Sequence, residues 1–175
     1  NEAFQLTFPG QQLFARAGNL TLGEISILGI ASAHNAGDRL KEKGGTNYIF
    51  IIQSNGIRIA HFGDIGQKSL TLEQLAQLGS VDVAITQLAN PYSDMSAENQ
   101  KGFKLMDQVQ PRLIIPTHLN IDTARQAAER WPAFYTNESL IELCPGSLPG
   151  NTQFLLMGEN VDKFLDELNL PEVEW

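Results

Sequence analysis

Residues 46–54, TNYIFIIQS, and residues 57–62, IRIAHF, are two apolar runs rich in β-branched and aromatic side chains, with only Asn55 and Gly56 between them. An Asn-Gly connection of this length has one common solution, a tight turn with positive φ at both positions whose twist matches two antiparallel strands. The chain is therefore committed to a hairpin, and with it to a sheet. The run before it, EISILGIASA (24–33), carries apolar residues at both parities, as TNYIFIIQS does. Strands of that kind expect cover on both faces.

The rest of the order follows from local signals. Upstream, QLFARA (12–17) alternates apolar and polar residues and predicts a half-buried strand. TLEQLAQLG (71–79) predicts a helix: Thr71 and Gln74 form a capping box and Gly79 stops it. VDVAITQL (81–88) predicts a buried strand. SAENQKGFKLMDQVQP (96–111) predicts a helix with Ser96 as its N-cap and Pro111 beyond its end. RLIIP (112–116) is a short strand that delivers Thr117 and His118, DTARQAAERW (122–131) a helix, TQFLLM (152–157) a strand and VDKFLDEL (161–168) a terminal helix. Strands come first and pair locally, then alternate with helices. The fold class expected is α+β, a layered α/β arrangement, in one domain over residues 1–175.

Function is bounded by charge. The formal net charge of -8, from 12 basic against 20 acidic residues, disfavours nucleic acid or an anionic membrane as partner, and no apolar run is long enough to span a bilayer. Cys144 is the only cysteine, so no intrachain disulfide forms, which suits a reducing, cytoplasmic setting.

The chain has three histidines, His34, His61 and His118. His34 ends the strand IASAH, His118 ends LIIPTH, and Asp64 follows Gly63 at the end of IRIAHFGD. Gly63 allows a sharp turn that leaves the carboxylate at the strand end. A histidine at a strand end is more often structural, and Gly-Asp is more often a turn. Three such sites after three apolar strands point to a common site of imidazole and carboxylate donors, suited to Zn, Mn or Fe. His61 lies inside its strand, on the opposite face from Asp64 by alternation, and reads as structural. Asp82 reads as a brace. Asn90-Pro91-Tyr92 reads as a turn near the strand ends, with Tyr92 a candidate for the substrate pocket, and EKGG (42–45) as a loop.

The succession SAHNAG, GGTNYIFII, GIRIAHFGDIGQ, LTLEQLAQLGSVDVAI and QPRLIIPTHLN resembles the metallo-β-lactamase superfamily of metal-dependent hydrolases from about Leu22 to His118. It is similar to the branch containing L-ascorbate-6-phosphate lactonase. The resemblance implies an αββα sandwich with its site at one sheet edge. It implies that His34 and His118 are ligands of a first and a second metal, and that Asp64 bridges the two, the carboxylate on which catalysis turns. It implies a two-metal centre, Zn first and Mn or Fe as alternatives, that activates water against an ester, lactone or phosphoester in a small substrate. The family's HxHxDH motif occurs nowhere in the 175 residues, so the chain is expected to be the C-terminal two thirds of the family fold, with that motif upstream of Asn1. TQLANPYS and Asn35 also depart from the branch's pattern.

Three functions compete: a hydrolase lacking its first portion, a degenerate non-catalytic member that binds or assembles, and a half-fold completed by a partner. The expected partners are a small-molecule substrate and either another copy or an upstream segment of the same chain. The chain alone is expected to leave its metal site empty or partly filled.

Overall fold

The computed structural model describes residues 16–34, 45–158 and 161–173. The elements are β1 (Gly18–Leu22), β2 (Ile25–Ala33), β3 (Thr46–Ser54), β4 (Ile57–His61), α1 (Leu72–Leu78), β5 (Val83–Thr86), a 3-10 turn (Pro91–Ser93), α2 (Lys101–Val109), β6 (Leu113–Pro116), α3 (Ile121–Arg130), β7 (Ala133–Thr136), β8 (Gln153–Met157) and α4 (Asp162–Leu168). The strands form one mixed sheet in the order β1-β2-β3-β4-β5-β6-β8-β7. This is the α+β class expected. The first four strands pair antiparallel and the rest parallel.

The hairpin forms as the Asn-Gly turn requires, with φ 49° at Asn55 and 78° at Gly56, and it aligns Ser54 with Ile57 and Phe50 with His61. The capping box of α1 is complete, and Gly79 ends the helix at φ 62°. The apolar sides of α1 to α4 cover one face of the sheet. Phe103, Leu105 and Met106 of α2, Leu78 of α1, Ala124 and Ala127 of α3 and Phe164 of α4 pack there on Ile49, Ile51, Ala60, Ile114 and Phe154. Each large side chain buried in this way contributes about 1.5–3 kcal/mol relative to exposure. The opposite face has its own cluster of Ile57, Val83, Leu113 and Leu155, covered in part by Ile141, Leu143 and Leu148. Further along that face Ile27, Phe50 and Ile52 of β2 and β3 are only half-buried. The apolar pattern at both parities thus corresponds to two apolar faces, unequally covered.

Three elements differ from expectation. The helix predicted from Ser96 starts at Lys101. Ser96 and Asn99 do exchange reciprocal hydrogen bonds, the Asn99 N–H to Ser96 Oγ and the Ser96 N–H to Asn99 Oδ1, both at 3.3 Å. They close a turn instead, because Gln100 takes a left-handed φ of 60° and breaks continuity before α2 begins. Strands β1 and β7 carried no prediction: β1 is mostly exposed, and β7 has four residues directly after Pro132. Residues 12–15 of QLFARA, Asn35 and most of the EKGG loop lie outside the described residues, and Arg16 and Ala17 lie in a bend.

Candidate metal-binding edge

Strand direction assembles the site. β2 and β4 each run antiparallel to β3, and β4, β5, β6 and β8 run parallel. The C-terminal ends of β2, β4, β5, β6 and β8 therefore share one sheet edge. That edge receives His34 after β2, Asp64 after β4 and His118 after β6, and it is where parallel sheets place ligands.

His34 and Asp64 are brought closer than their strands. After β4 the chain crosses the start of β3 and meets the end of β2: the Gly66 N–H donates to the Ala33 carbonyl at 2.9 Å, and His34 bridges to Ile65. His34 Nε2 then stands 3.9 Å from Asp64 Oδ2. Gly63 makes the crossing possible, with φ 58°, and a Cβ there would stand 2.5 Å from Asn47 Oδ1. Asn47, buried on β3, is the clasp. Its Oδ1 accepts the Asp64 N–H at 3.0 Å, and its Nδ2 donates to Ser32 Oγ and to the Phe62 carbonyl, each at 2.8 Å.

Buried amides hold the rest of the crossing. Gln67 and Gln74 pair amide to amide at 3.0 Å, and Gln67 Oε1 accepts the Ala33 N–H, so the capping residue of α1 is also tied to the end of β2. Gln87 Nε2 donates to the Ile65 carbonyl, and Asn90 Nδ2 donates to Gln87 Oε1, both at 2.6 Å, and to Asp64 Oδ1 at 3.4 Å. Buried amides left unsatisfied cost about 1–3 kcal/mol each, so this network holds the crossing, and it reaches the carboxylate itself through the one long bond from Asn90. Sequence reading missed Asn47, Gln67, Gln87 and Asn90 as site residues. The available signal was a polar amide in an apolar run, as in TNYIFII and VDVAITQL.

The β6 side is different. His118 is exposed, and its carbonyl accepts the N–H groups of Leu88 and Ala89 at 2.9 and 3.1 Å, which anchors the backbone and leaves the imidazole to solvent. Among the described residues, no group of three or more His, Cys, Asp or Glu side chains stands close enough to hold a metal. The edge thus brings His34 and Asp64 together and places His118 on the same edge, outside that pair. Tyr92 is 82% exposed on the 3-10 turn, its N–H donating to Asn90 Oδ1. His61 is half-buried on the other sheet face, with Nδ1 accepting the Gly63 N–H at 3.1 Å; burial pushes its pKa down, against an opposing pull from Asp64. Asp82 braces the far edge: it accepts the Arg58 N–H at 2.9 Å and pairs with Arg112 at 3.5 Å.

The chemistry of the pair fits a divalent metal, since neutral imidazole and carboxylate are both ligands for Zn, Mn and Fe. Their number does not complete a coordination sphere.

A family model described as the β-lactamase superfamily domain matches residues 6–118. Among solved structures, the chain is similar to one described as a Zn-dependent hydrolase of the metallo-β-lactamase superfamily from Thermotoga maritima, at 19% identity and a TM-score of 0.64 over 84% of this chain and 72% of that one. It is also similar to the metallo-β-lactamase fold protein YhfI from Bacillus subtilis, at 12% identity and a TM-score of 0.48 over 81% of this chain and 51% of that one. A third is Igni18, a metallo hydrolase from Ignicoccus hospitalis, at 18% identity and a TM-score of 0.47 over 70% of this chain and 55% of that one. No curated protein matches the sequence.

Proposed function

This chain belongs to the β-lactamase superfamily, and from that premise we propose that it is the metal-binding part of a hydrolase acting on a small ester, lactone or phosphoester. The observation that carries the proposal is the contact between His34 and Asp64 at 3.9 Å, made by a crossing that a buried amide network holds in place. His34 and Asp64 would hold a divalent metal, with His118 joining from the end of β6, two strands from β4 on the same edge. Bound there, such a metal supplies Lewis acidity and a lowered water pKa. Asn47 and Asn90 orient the Asp64 carboxylate before any ligand arrives. Asp64 is the carboxylate that stands against His34, and His118, exposed further along the same edge, is available to substrate or metal. Tyr92, exposed after Asn90, is available to a substrate approaching from solvent.

The finer reading takes the ascorbate-6-phosphate lactonase branch as its functional likeness, with Zn ahead of Mn or Fe, and a two-metal centre once further ligands are supplied. The partners in this reading are a small substrate, with neither nucleic acid nor membrane, and a second copy or an upstream segment covering the half-buried Ile27, Phe50 and Ile52. Among the described residues no helix is long and apolar enough to cross a membrane, and the reading places the protein in the cytoplasm. A single domain over residues 1–175 belongs to the same reading.

A second reading has its own observation. The described residues hold no three-ligand cluster, which favours a non-catalytic binding or assembly member. Hydrolysis of a panel of p-nitrophenyl esters, aryl lactones and phosphodiesters, with Zn²⁺ or Mn²⁺ added, separates the two. With an upstream segment that supplies the further ligands, the hydrolase reading expects metal-dependent turnover that Asp64→Asn abolishes. No metal-dependent turnover even with that segment supplied favours the second.

A further inference from the structure

At the end of the strand order away from β1, the outer side of β7 is closed by the chain itself: residues 170–173, directly after α4, lie along it. The Tyr135 N–H donates to the Pro171 carbonyl at 3.1 Å, and the Val173 N–H donates to the Tyr135 carbonyl at 2.8 Å. Both bonds belong to a parallel bridge between Tyr135 and Glu172. The side chains follow strand alternation. Leu170 packs against the cluster on the helix-covered face and Val173 against the cluster on the opposite face. The Glu172 carboxylate accepts from Tyr135 Oη at 3.2 Å and from Asn137 Nδ2 at 3.1 Å.

The β7 edge thus holds a complete seat for one short strand: two backbone groups, two neutral donors for one carboxylate, and an apolar contact on each face. This is strand addition to a sheet edge, with the added strand supplied by the same chain. The strap is lightly held. Pro171 and Glu172 are exposed, and Leu170 and Val173 are half-buried. Segments with so few buried contacts open at the low end of a fold's local stabilities.

A single residue sets the direction of the strap. Asn169 joins the end of α4 to Leu170, and it is left-handed, with φ 44° and ψ 50°. That region disfavours every residue with a side chain, asparagine least. An extended Asn169 removes the cost and turns the strap away from its own β7. Every copy of the chain carries the same strap and the same seat. A released strap therefore matches the β7 edge of a second copy, whose own strap returns the contact in a closed two-fold pair.

We propose that the strap is exchangeable: two copies associate by swapping residues 170–173 across their β7 edges, with Asn169 as the hinge. β7 lies at the opposite end of the sheet from Ile27, Phe50 and Ile52 of β2 and β3, so this surface is separate from the apolar face considered above. Neither metal nor turnover enters the proposal.

Sedimentation equilibrium on the full chain, wild type beside Asn169→Val and Asn169→Gly, tests the hinge. Valine is strained at φ 44° yet keeps the N–H that bonds the Leu165 carbonyl. The expected result is a dimer association constant raised on the order of tenfold or more in Asn169→Val, since a left-handed residue with a branched side chain carries a penalty of that size. Asn169→Gly, relaxed in the left-handed state, shows no rise. Trapping then identifies the contact. With Cys144→Ser throughout, a chain carrying Tyr135→Cys is mixed with one carrying Glu172→Cys, both in the Asn169→Val background, and oxidised. A disulfide between positions 135 and 172 of different chains is expected in peptide mass analysis. Equal association in all three proteins, a rise in Asn169→Val with no such interchain disulfide, or the same disulfide yield in the Asn169→Gly background would overturn the proposal.

Discussion

On the β2–β4 side of the sheet edge, Asp64 is held through its backbone by Asn47 and through its carboxylate by Asn90, and both amides are buried and bonded again behind. On the β6–β8 side, His118 and Thr117 are exposed, and what is fixed is the backbone: the His118 carbonyl by Leu88 and Ala89, and the Thr117 N–H by the Thr86 carbonyl at 2.7 Å. One side spends buried polar groups on orienting a single carboxylate. The other anchors the chain and leaves its side chains in water. The difference teaches which residues act by position and which by contact. A side chain held by a closed network is preorganised, whereas one held only through its backbone meets its ligand by adjusting.

The comparison breaks first at Gly63. Gly63→Val puts a β-branched residue at φ 58° and drives its Cβ into Asn47 Oδ1. The expected loss is about 3 kcal/mol or more, from backbone strain and the broken clasp together, read as a lowered urea midpoint. A midpoint within the error of wild type would show that the crossing is not held as described.

Asn90→Ala should cost less, about 1–3 kcal/mol, because it leaves Gln87 Oε1 buried without its 2.6 Å donor and frees the Asp64 carboxylate. Denaturant unfolding measures the first effect, and metal affinity, falling while the fold remains, measures the second.

His118→Ala is the contrasting case. The imidazole is exposed, so stability should stay within ~0.5 kcal/mol while metal uptake falls. A large destabilisation would place His118 with the buried network instead.

The smallest effect is that of pH on His61. Its pKa is lowered in the fold, chiefly by burial, so the unfolded chain binds the proton more readily. The neutral ring's contribution is whole above the ordinary histidine value of roughly 6.5 and is lost as pH falls through the lower folded value. Unfolding at pH 7.5 and 5.5 should show a drop that is smaller in His61→Phe. An equal drop in both proteins would remove His61 from the account.

Much of this was legible in the sequence, for local reasons. The Asn-Gly hairpin, the Thr71 capping box and the glycine before Asp64 each encode a backbone conformation within a few residues, and each is found. The edge was legible too, since His34, Asp64 and His118 follow apolar strands whose directions topology then aligns. The clasp was not. Asn47 and Asp64 are 17 residues apart, and Gln67 meets Ala33 across 34. Nothing local marks an amide as the partner of a distant N–H. Ser96 shows the converse limit: it makes the cap-like bonds with Asn99, yet they close a turn and not the helix the sequence predicts, because Gln100 turns left-handed.

Zinc titration by isothermal calorimetry tests the central claim most directly, with the wild-type chain beside His34→Gln, Asp64→Asn and His118→Ala, each first shown folded by circular dichroism. The account predicts weak, substoichiometric to single-site uptake by wild type that falls about tenfold or more in each variant. Uptake that is the same in all four proteins, or two tightly held equivalents that survive Asp64→Asn, would contradict it.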